Sequence, residues 1–488
     1  MTESNLKNLR ASLSGFVAQP SDPAYEAAVR IDNGRIQLRP AVVVFADSIA
    51  DVAATLRYAR ESGRELTVRG GGHSAAGYCL NDGGVVLDLK LLDEVELDQQ
   101  AQTLRAQMGL TWEQIYGQII GTTELIPVGG GCLPVGIPGF VLGGGFSFVS
   151  RSYGMSIDNL LELTIVTPDG QAHTISADSE EENERELFWA CRGGGGGNFG
   201  VAVEMKLRMH RPNSQRMLVA RPRWPAERAG EVLAFYNEWI EEVPRELAVY
   251  GYWGTEQDAL EPSHTVPVFG FTIIYNGDFG AGVRVLEPLL EMDPSHVELT
   301  NRTLPEIEEL IGSTTVVGDR SAYMWSGVMG PGAFTPHVAE IFSEYMAKAP
   351  SASSFVVWTH LGGKVAEVAP DATAFPHRRA RFVPELKAIW TDPHEARANV
   401  AWAQAFFQAL LPHFGGAYVN YIDPLLADWP RMYYGGNYPR LLAVKEHWDP
   451  DRLFCWQQSI GSGFEPSLAT PLDLSPLNRT FEPRGEQQ

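Results

Sequence analysis

Gly129-Gly130-Gly131-Cys132-Leu133-Pro134-Val135-Gly136, followed by Gly143-Gly144-Gly145 and by Arg151-Ser152-Tyr153-Gly154-Met155-Ser156-Ile157-Asp158-Asn159, is the most informative stretch of this chain. Consecutive glycines let a backbone approach a ligand closely and offer N–H donors to phosphate or hydroxyl oxygens. A cysteine in such a loop has few apolar neighbours, and donors around it stabilise a thiolate; elsewhere a cysteine is by default a small buried hydrophobe. Two further runs share the pattern. Arg69-Gly70-Gly71-Gly72-His73-Ser74 lies upstream, and Arg192 with Gly193 to Gly197 and Asn198-Phe199-Gly200 lies downstream, opening into a strand from Val201 to Leu207. A single glycine run reads as a tight turn and a histidine in it as structural, but three in one region are not explained as turns. A Rossmann site needs strand, G-x-G-x-x-G and helix in that order. Here the third loop leads into a strand, which argues against a nicotinamide site.

Outward from these loops, helix and strand alternate. Ile49, Val52, Ala53 and Leu56 share one helical face, with Ser48 as N-cap and Gly63 as stop. A strand-like run Glu65 to Arg69 and an apolar strand Val85 to Leu89 flank the first glycine loop. Thr111 to Gly121 reads as a helix through Trp112, Ile115 and Ile119, and Leu163 to Thr167 as a strand closed by Pro168-Asp169-Gly170. After about residue 208 the glycine clusters give way to aromatic strands such as Val249 to Trp253 and Phe355 to Trp358. Glycine, asparagine and tyrosine become dense again from Tyr418, and the Pro-rich end after Ser462 reads as a surface tail.

With 488 residues the chain is too long for one core, and 44% hydrophobic residues place it among globular proteins. The net charge of -22 repels phosphate backbones and anionic lipids, so neither nucleic acid nor membrane is an expected partner. No apolar run is long enough to span a bilayer, and MTESNLKNLR lacks the apolar segment of a signal peptide, so a cytoplasmic location is expected. Cys79, Cys132, Cys191 and Cys455 are too scattered for a disulfide framework or a paired-thiol metal site.

Taken together, the motifs resemble the berberine-bridge-enzyme-like family of FAD-linked oxidases, of the vanillyl-alcohol-oxidase fold group, over nearly the whole chain. The family pattern R-x-G-G-H-S stands at His73, and G-x-C-x-x-V-G-x-x-G-x-x-x-G-G-G stands at Cys132. Leu187 to Gly200 matches a third family run, and Tyr418-Val419-Asn420-Tyr421, Tyr434 to Leu441, Lys445, Asp449-Pro450 and Phe454 match its closing signature. Many relatives carry histidine eight residues after the cysteine, where Phe140 stands here.

The resemblance implies an α+β fold. Residues 1–208 and 416–488 form a PCMH-type FAD-binding domain of two α/β subdomains, and residues 209–415 an inserted substrate domain of antiparallel sheet backed by helices. It implies FAD attached through His73 at the 8α carbon and Cys132 at C6. The remaining contacts come from Arg69, Gly70, Gly71, Gly72, Ser74, Val135, Gly136, Gly139, Gly143 and Gly144, from Tyr153, Gly154, Asp158 and Asn159, and from Gly197, Asn198, Gly200, Val201, Tyr418 and Asn420.

The reaction it implies is oxidation of an alcohol or sugar hemiacetal to a carbonyl or lactone, with O2 as acceptor and H2O2 as product. Oxidative tailoring of an aromatic, alkaloid or polyketide compound is the alternative, and a flavin-binding protein without turnover the alternative outside enzymes. Tyr421 and Tyr418 match the family's site tyrosines, with Tyr421 at the base position. Glu385, on the strand after Phe375-Pro376-His377-Arg378, is the candidate carboxylate, and Lys387 shares its strand face by the period of two. Val135 matches the position that gates oxygen access. Trp253, Tyr323, Trp325, Trp358 and Trp390 are either the floor of a substrate pocket or core residues.

Overall fold

Helix Ile49–Ser62 forms where both of its ends are capped: the Ser48 side chain accepts the Asp51 N–H, and Gly63 takes the left-handed conformation at φ 60°. Its buried face, Val52, Leu56 and Ala59, packs on the first of three sheets. The computed structural model describes residues 3–119, 121–257, 265–312 and 320–463, so the Pro-rich end lies outside the described residues apart from Ser462 and Gly463.

The first sheet has four strands in the order Phe16–Ala18, Val42–Phe45, Val85–Asp88, Leu66–Arg69, and its last three are parallel. Every residue of Val42–Phe45 and Val85–Asp88 is buried, as strands covered on both faces require. The second sheet is antiparallel, in the order Val95–Asp98, Thr103–Gln107, Val201–Arg208, Leu160–Val166, Ala172–Ser176. The helix expected over Thr111 to Gly121 runs from Trp112 to Ile119.

The third sheet is antiparallel, with seven strands in the order His296–Arg302, Met217–Pro225, Thr265–Tyr275, Leu247–Gln257, Phe355–His360, Phe382–Trp390, Ser321–Ser326. Its two faces have opposite characters. Trp224, Phe271, Trp358, Leu386 and Trp325 point into a core shared with Tyr236, Phe342 and Phe406 of the helices Ala229–Glu242, Pro336–Met346 and Ala396–Leu410. Residues one step out of phase, such as Arg223, Tyr252, Val357 and Glu385, face a cavity instead. Helix Tyr438–Trp448 packs on helix Glu182–Cys191, which brings the end of the chain back beside the third glycine loop. Among the described residues no helix is long and apolar enough to cross a membrane. The architecture is α+β, as the motifs implied.

Candidate active site

The Gly70–Ser74 loop leaves the end of strand Leu66–Arg69 and is pinned from behind. Arg69 donates to the carbonyls of Ala28 and Arg30 and faces Asp88, while the Asp32 N–H donates to the Gly72 carbonyl at 3.0 Å. Leu110, Trp112 and Glu113 hold the cysteine loop through backbone bonds to Ile137, Val135 and Leu133. The two loops then meet backbone to backbone at Gly71 and Gly136, where a Cβ on either residue would stand 2.2–2.3 Å from the other's nitrogen. Only glycine fits there.

The third loop is held by Asn198 and Lys445. Asn198 Nδ2 donates to the Gly194 carbonyl at 3.1 Å, and its Oδ1 accepts the Ile460 N–H at 2.9 Å. The buried Lys445 donates to the carbonyls of Asn198 and Phe454, both at 2.6 Å, and pairs with Asp449 at 2.7 Å. Trp456 and Tyr434 add bonds to the Gly197 and Gly194 carbonyls. Only the returning C-terminal segment completes this loop.

A cavity of about 800 Å³ opens between the three loops and the third sheet, toward the upper end of the roughly 300–1,000 Å³ typical of ligand sites. One half is lined by Gly70, Gly71, Gly72, Gly130, Gly131, Gly136, Gly139, Gly196, Gly197 and Gly200, together with His73, Ser74, Cys132, Val135 and Asn420. A Cβ on Gly139 would meet no atom, and one on Gly196 or Gly197 would touch a single atom at 3.7 or 3.9 Å. Side chains there would project into the cavity, so the glycines keep open the space that a flat, phosphate-bearing cofactor needs. The residues fit FAD.

His73 and Cys132 both line this half. His73 Nδ1 stands 3.3 Å from Asp32. Burial holds its pKa below the usual histidine range against the opposing pull of Asp32, and the Lys387 charge adds to the lowering. Cys79 and Cys191 are fully buried, and burial pushes the Cys191 thiol up to about 12. Cys132 is the half-buried cysteine of the four.

The other half of the cavity is walled by the third sheet. Glu385 and Lys387 both face it, with Lys387 Nζ 3.4 Å from Glu385 Oε1, so the period of two reads them correctly as one face. Tyr421 enters from the loop after Tyr418, whose backbone Ser326 holds, and its ring lies edge-on to Tyr418 at 5.0 Å. Burial first, and the Glu385 carboxylate next, push the Tyr421 phenol well above the usual tyrosine range. Tyr418 itself is buried against Phe146, where its hydroxyl accepts from the Gly145 N–H at 2.8 Å and from Asn420 at 2.9 Å. Asn420 also donates to the carbonyl of Phe140, whose ring lies on Trp112.

Several residues expected to contact the cofactor stand behind the cavity wall. Tyr153 stacks on His210 at 4.3 Å, and Asn159 accepts from His210 at 2.7 Å while donating to the carbonyls of Tyr153 and Met155. Asp158 forms a two-bond pair with the buried Arg378, both bonds at 2.8 Å, and so ties this segment to the turn that feeds strand Phe382–Trp390. Gly154, at φ 89°, closes the short helix Ser150–Tyr153. None of these four lines the cavity, nor do Arg69, Gly143, Gly144, Asn198, Val201 and Tyr418. Gly143 packs against Asn420 and Gly144 against Tyr418, so both hold the wall from outside.

Of the two roles open to the five aromatic residues, the structure gives them the core and not the pocket floor. Trp253, Tyr323, Trp325, Trp358 and Trp390 are at most 3% exposed and belong to the core between sheet and helices. Trp390 lies five positions after Glu385, and an odd step on one strand points to the opposite face. The rings that the third sheet turns to the cavity are Tyr250, Tyr252 and Phe355, joined by Arg221 and Arg223. Alternation within each strand relates these residues to their neighbours, but which parity faces inward follows from register with Glu385.

With this geometry in view, likeness to known proteins becomes informative. Residues 40–176 match the family model described as an FAD binding domain, and residues 417–461 the one described as berberine and berberine like. An uncharacterized FAD-linked oxidoreductase of Bacillus subtilis, YgaK, is 29% identical over 92% of this chain and 98% of its own length. The aclacinomycin-N/aclacinomycin-A oxidase of Streptomyces galilaeus is 27% identical over 86% of this chain and 85% of its own. Among solved structures, a chitooligosaccharide oxidase shares the fold with a TM-score of 0.82 at 22% identity, covering 95% of this chain and 100% of that one. A glycine-built cofactor half, closed by a C-terminal segment that matches the family's own, thus stands in a protein similar along its length to FAD-linked oxidoreductases. The chain is an FAD-binding enzyme of the oxidoreductase class whose FAD binding domain and C-terminal segment are similar to those of the berberine-bridge-enzyme-like FAD-linked oxidases.

Proposed function

We propose that the protein oxidises a CH–OH group, of an alcohol or a sugar hemiacetal, to a carbonyl or lactone, passing the electrons to O2 with formation of H2O2. The observation that carries this reading is the grouping of Glu385, Lys387 and Tyr421 where the glycine-lined half of the cavity meets the sheet-lined half. FAD bound in the glycine half supplies the hydride acceptor and the means of returning electrons to O2. The protein's part is to orient the substrate and take up its hydroxyl proton.

Tyr421 enters as a neutral phenol, because burial and Glu385 both oppose its ionisation. It donates to or accepts from the substrate oxygen and passes the proton on. Glu385 receives it: its Oε1 accepts no hydrogen bond, and the Lys387 ammonium 3.4 Å away is the nearby counter-charge. Val135 stands on the cavity wall three residues after Cys132 and leaves room for O2 where a larger side chain would not.

His73 and Cys132 are the covalent anchors in this reading. A neutral imidazole is the form that bonds to carbon, and burial favours that form at His73. Asp32 is placed to accept the proton the ring gives up. Two anchors leave the sheet side of the cavity free for a large substrate.

A second reading, tailoring of an aromatic or polyketide compound, draws on the rings of Phe148, Tyr250, Tyr252 and Phe355 along the cavity and on the likeness to aclacinomycin oxidase. Anaerobic mixing of the purified protein with a panel of sugars, simple alcohols and aromatic alcohols tests both. Bleaching of the oxidised-flavin absorption band by sugars or simple alcohols supports the first; bleaching only by aromatic compounds favours the second.

A further inference from the structure

We propose that the end of the cavity remote from Glu385 is a carboxylate subsite built on Arg223, and that the substrate is elongated, with an apolar middle and an anionic far end. This rests on the reading that Glu385 and Tyr421 mark the reacting end.

Arg223 is 6% exposed, yet it lines the cavity. Its Nε donates to Glu256 at 2.9 Å, and its Nη1 to the carbonyls of Phe271 at 2.6 Å and Pro222 at 3.2 Å. Nη2 has no hydrogen-bonding partner among the described residues, so a buried guanidinium offers one donor to whatever fills the cavity. The chain has 60 acidic residues against 38 basic ones, but at this end two guanidinium groups, those of Arg221 and Arg223, line the cavity with Glu256 as the carboxylate. Arg221 is shared with Glu298 at 3.3 Å and Glu256 at 3.9 Å. One free guanidinium nitrogen beside a carboxylate suits a monoanion and repels a dianion. That points to a carboxylate rather than a phosphate.

The sheet register gives the spacing. Arg223 pairs with Gly270, Gly270 with Tyr252, Tyr252 with Val357, and Val357 with Glu385. Four steps of about 4.8 Å put the two backbones roughly 19 Å apart. The Arg223 side chain lies back across Gly270, where a Cβ would stand 2.7 Å from its Cδ, and its guanidinium carbon reaches 5.8 Å from the Tyr252 ring centre. About three strand steps, roughly 14 Å, then remain between the guanidinium and the Glu385 strand. Tyr252, Val357 and Phe355 line that interval.

A rigid probe tests this on the holoenzyme: para,para′-(hydroxymethyl)biphenylcarboxylate, compared with its neutral carboxamide. Binding is read by equilibrium dialysis, independent of turnover, and turnover by flavin bleaching. The acid is expected to bind about tenfold or more tighter than the amide at low ionic strength, as one charge-assisted bond implies, and salt should shrink that ratio. Arg223→Gln should abolish the preference, and Glu256→Gln, which removes the competing carboxylate, should widen it; a misfolded variant would not gain. Equal binding of acid and amide, no measurable acid binding, or a preference untouched by Arg223→Gln overturns the subsite. An Arg223-dependent preference without bleaching leaves the subsite standing and counts against the proposed alcohol oxidation instead.

Discussion

Gly71 and Gly136 lie in different loops, yet a Cβ on Gly71 would stand 2.3 Å from the Gly136 nitrogen, and one on Gly136 2.2 Å from the Gly71 nitrogen. This backbone contact sets the spacing between the loop of His73 and the loop of Cys132. Gly71→Ala or Gly136→Ala must part the loops, because neither backbone can yield as a flexible side chain would. Purified Gly71→Ala should carry much less flavin per chain while keeping its far-ultraviolet circular dichroism. Full flavin content in both variants would show that the contact does not position the anchors.

Covalent attachment at two points predicts that the denatured protein stays yellow and carries the mass of one FAD. His73→Ala and Cys132→Ala should each retain the flavin through acid precipitation, and the double variant should release it. Complete release from the unmodified protein would remove the anchors from the mechanism.

The proton path predicts that Tyr421→Phe and Glu385→Gln slow anaerobic flavin reduction by on the order of 100-fold or more with attachment intact. Substrate affinity, measured alongside, should change much less, as expected for a group that acts in the transition state. Unchanged reduction in Glu385→Gln would shift the proton acceptor to another group, with Lys387 the next to replace.

Val135→Leu adds one methylene to the cavity wall, and close-packed interiors register such a change. Reoxidation of the photoreduced protein by oxygenated buffer should slow markedly, with flavin reduction unaffected. If the unmodified enzyme stays reduced for minutes in air, O2 is not its acceptor.

Asp423, two residues after Tyr421, is buried and accepts from Tyr323 at 2.5 Å and from the Leu425 N–H at 2.8 Å. Burial outweighs those donors and pushes its carboxyl up to about 7. The folded protein therefore holds a proton that the unfolded chain releases near the ordinary aspartate pKa of about 4. This group's contribution to stability falls as pH rises from about 4 to about 7 and is level above that. Melting temperature against pH should lose that slope in Asp423→Asn. An unaltered profile would mean that Asp423 ionises normally in the folded state.

Much of the cofactor half was legible because it is written in short-range terms. Ser48 and Gly63 cap the first long helix through atoms a few residues away, and glycine runs signal close backbone approach wherever they occur. His73 and Cys132 lie in glycine loops that local sequence marks, and the family resemblance singled them out. Lys387 could be placed beside Glu385 because two residues on one strand share a face. The same rule, applied to Trp390, already turns it away from Glu385.

Tertiary structure alone decided the rest. Tyr153, Asp158 and Asn159 share a motif with residues near the cofactor but bind His210 and Arg378 behind the wall, partners that local sequence does not name. Arg223, Tyr252 and Glu385 become one row only through cross-strand pairing of segments far apart in the chain. A strand's sequence determines that its side chains alternate, and pairing with distant strands determines which alternate set meets the cavity. The residues proposed for the chemistry were thus picked out by motifs that resemble a known family, whereas the shape and charge of the sheet-lined half arose from register, which no single segment encodes.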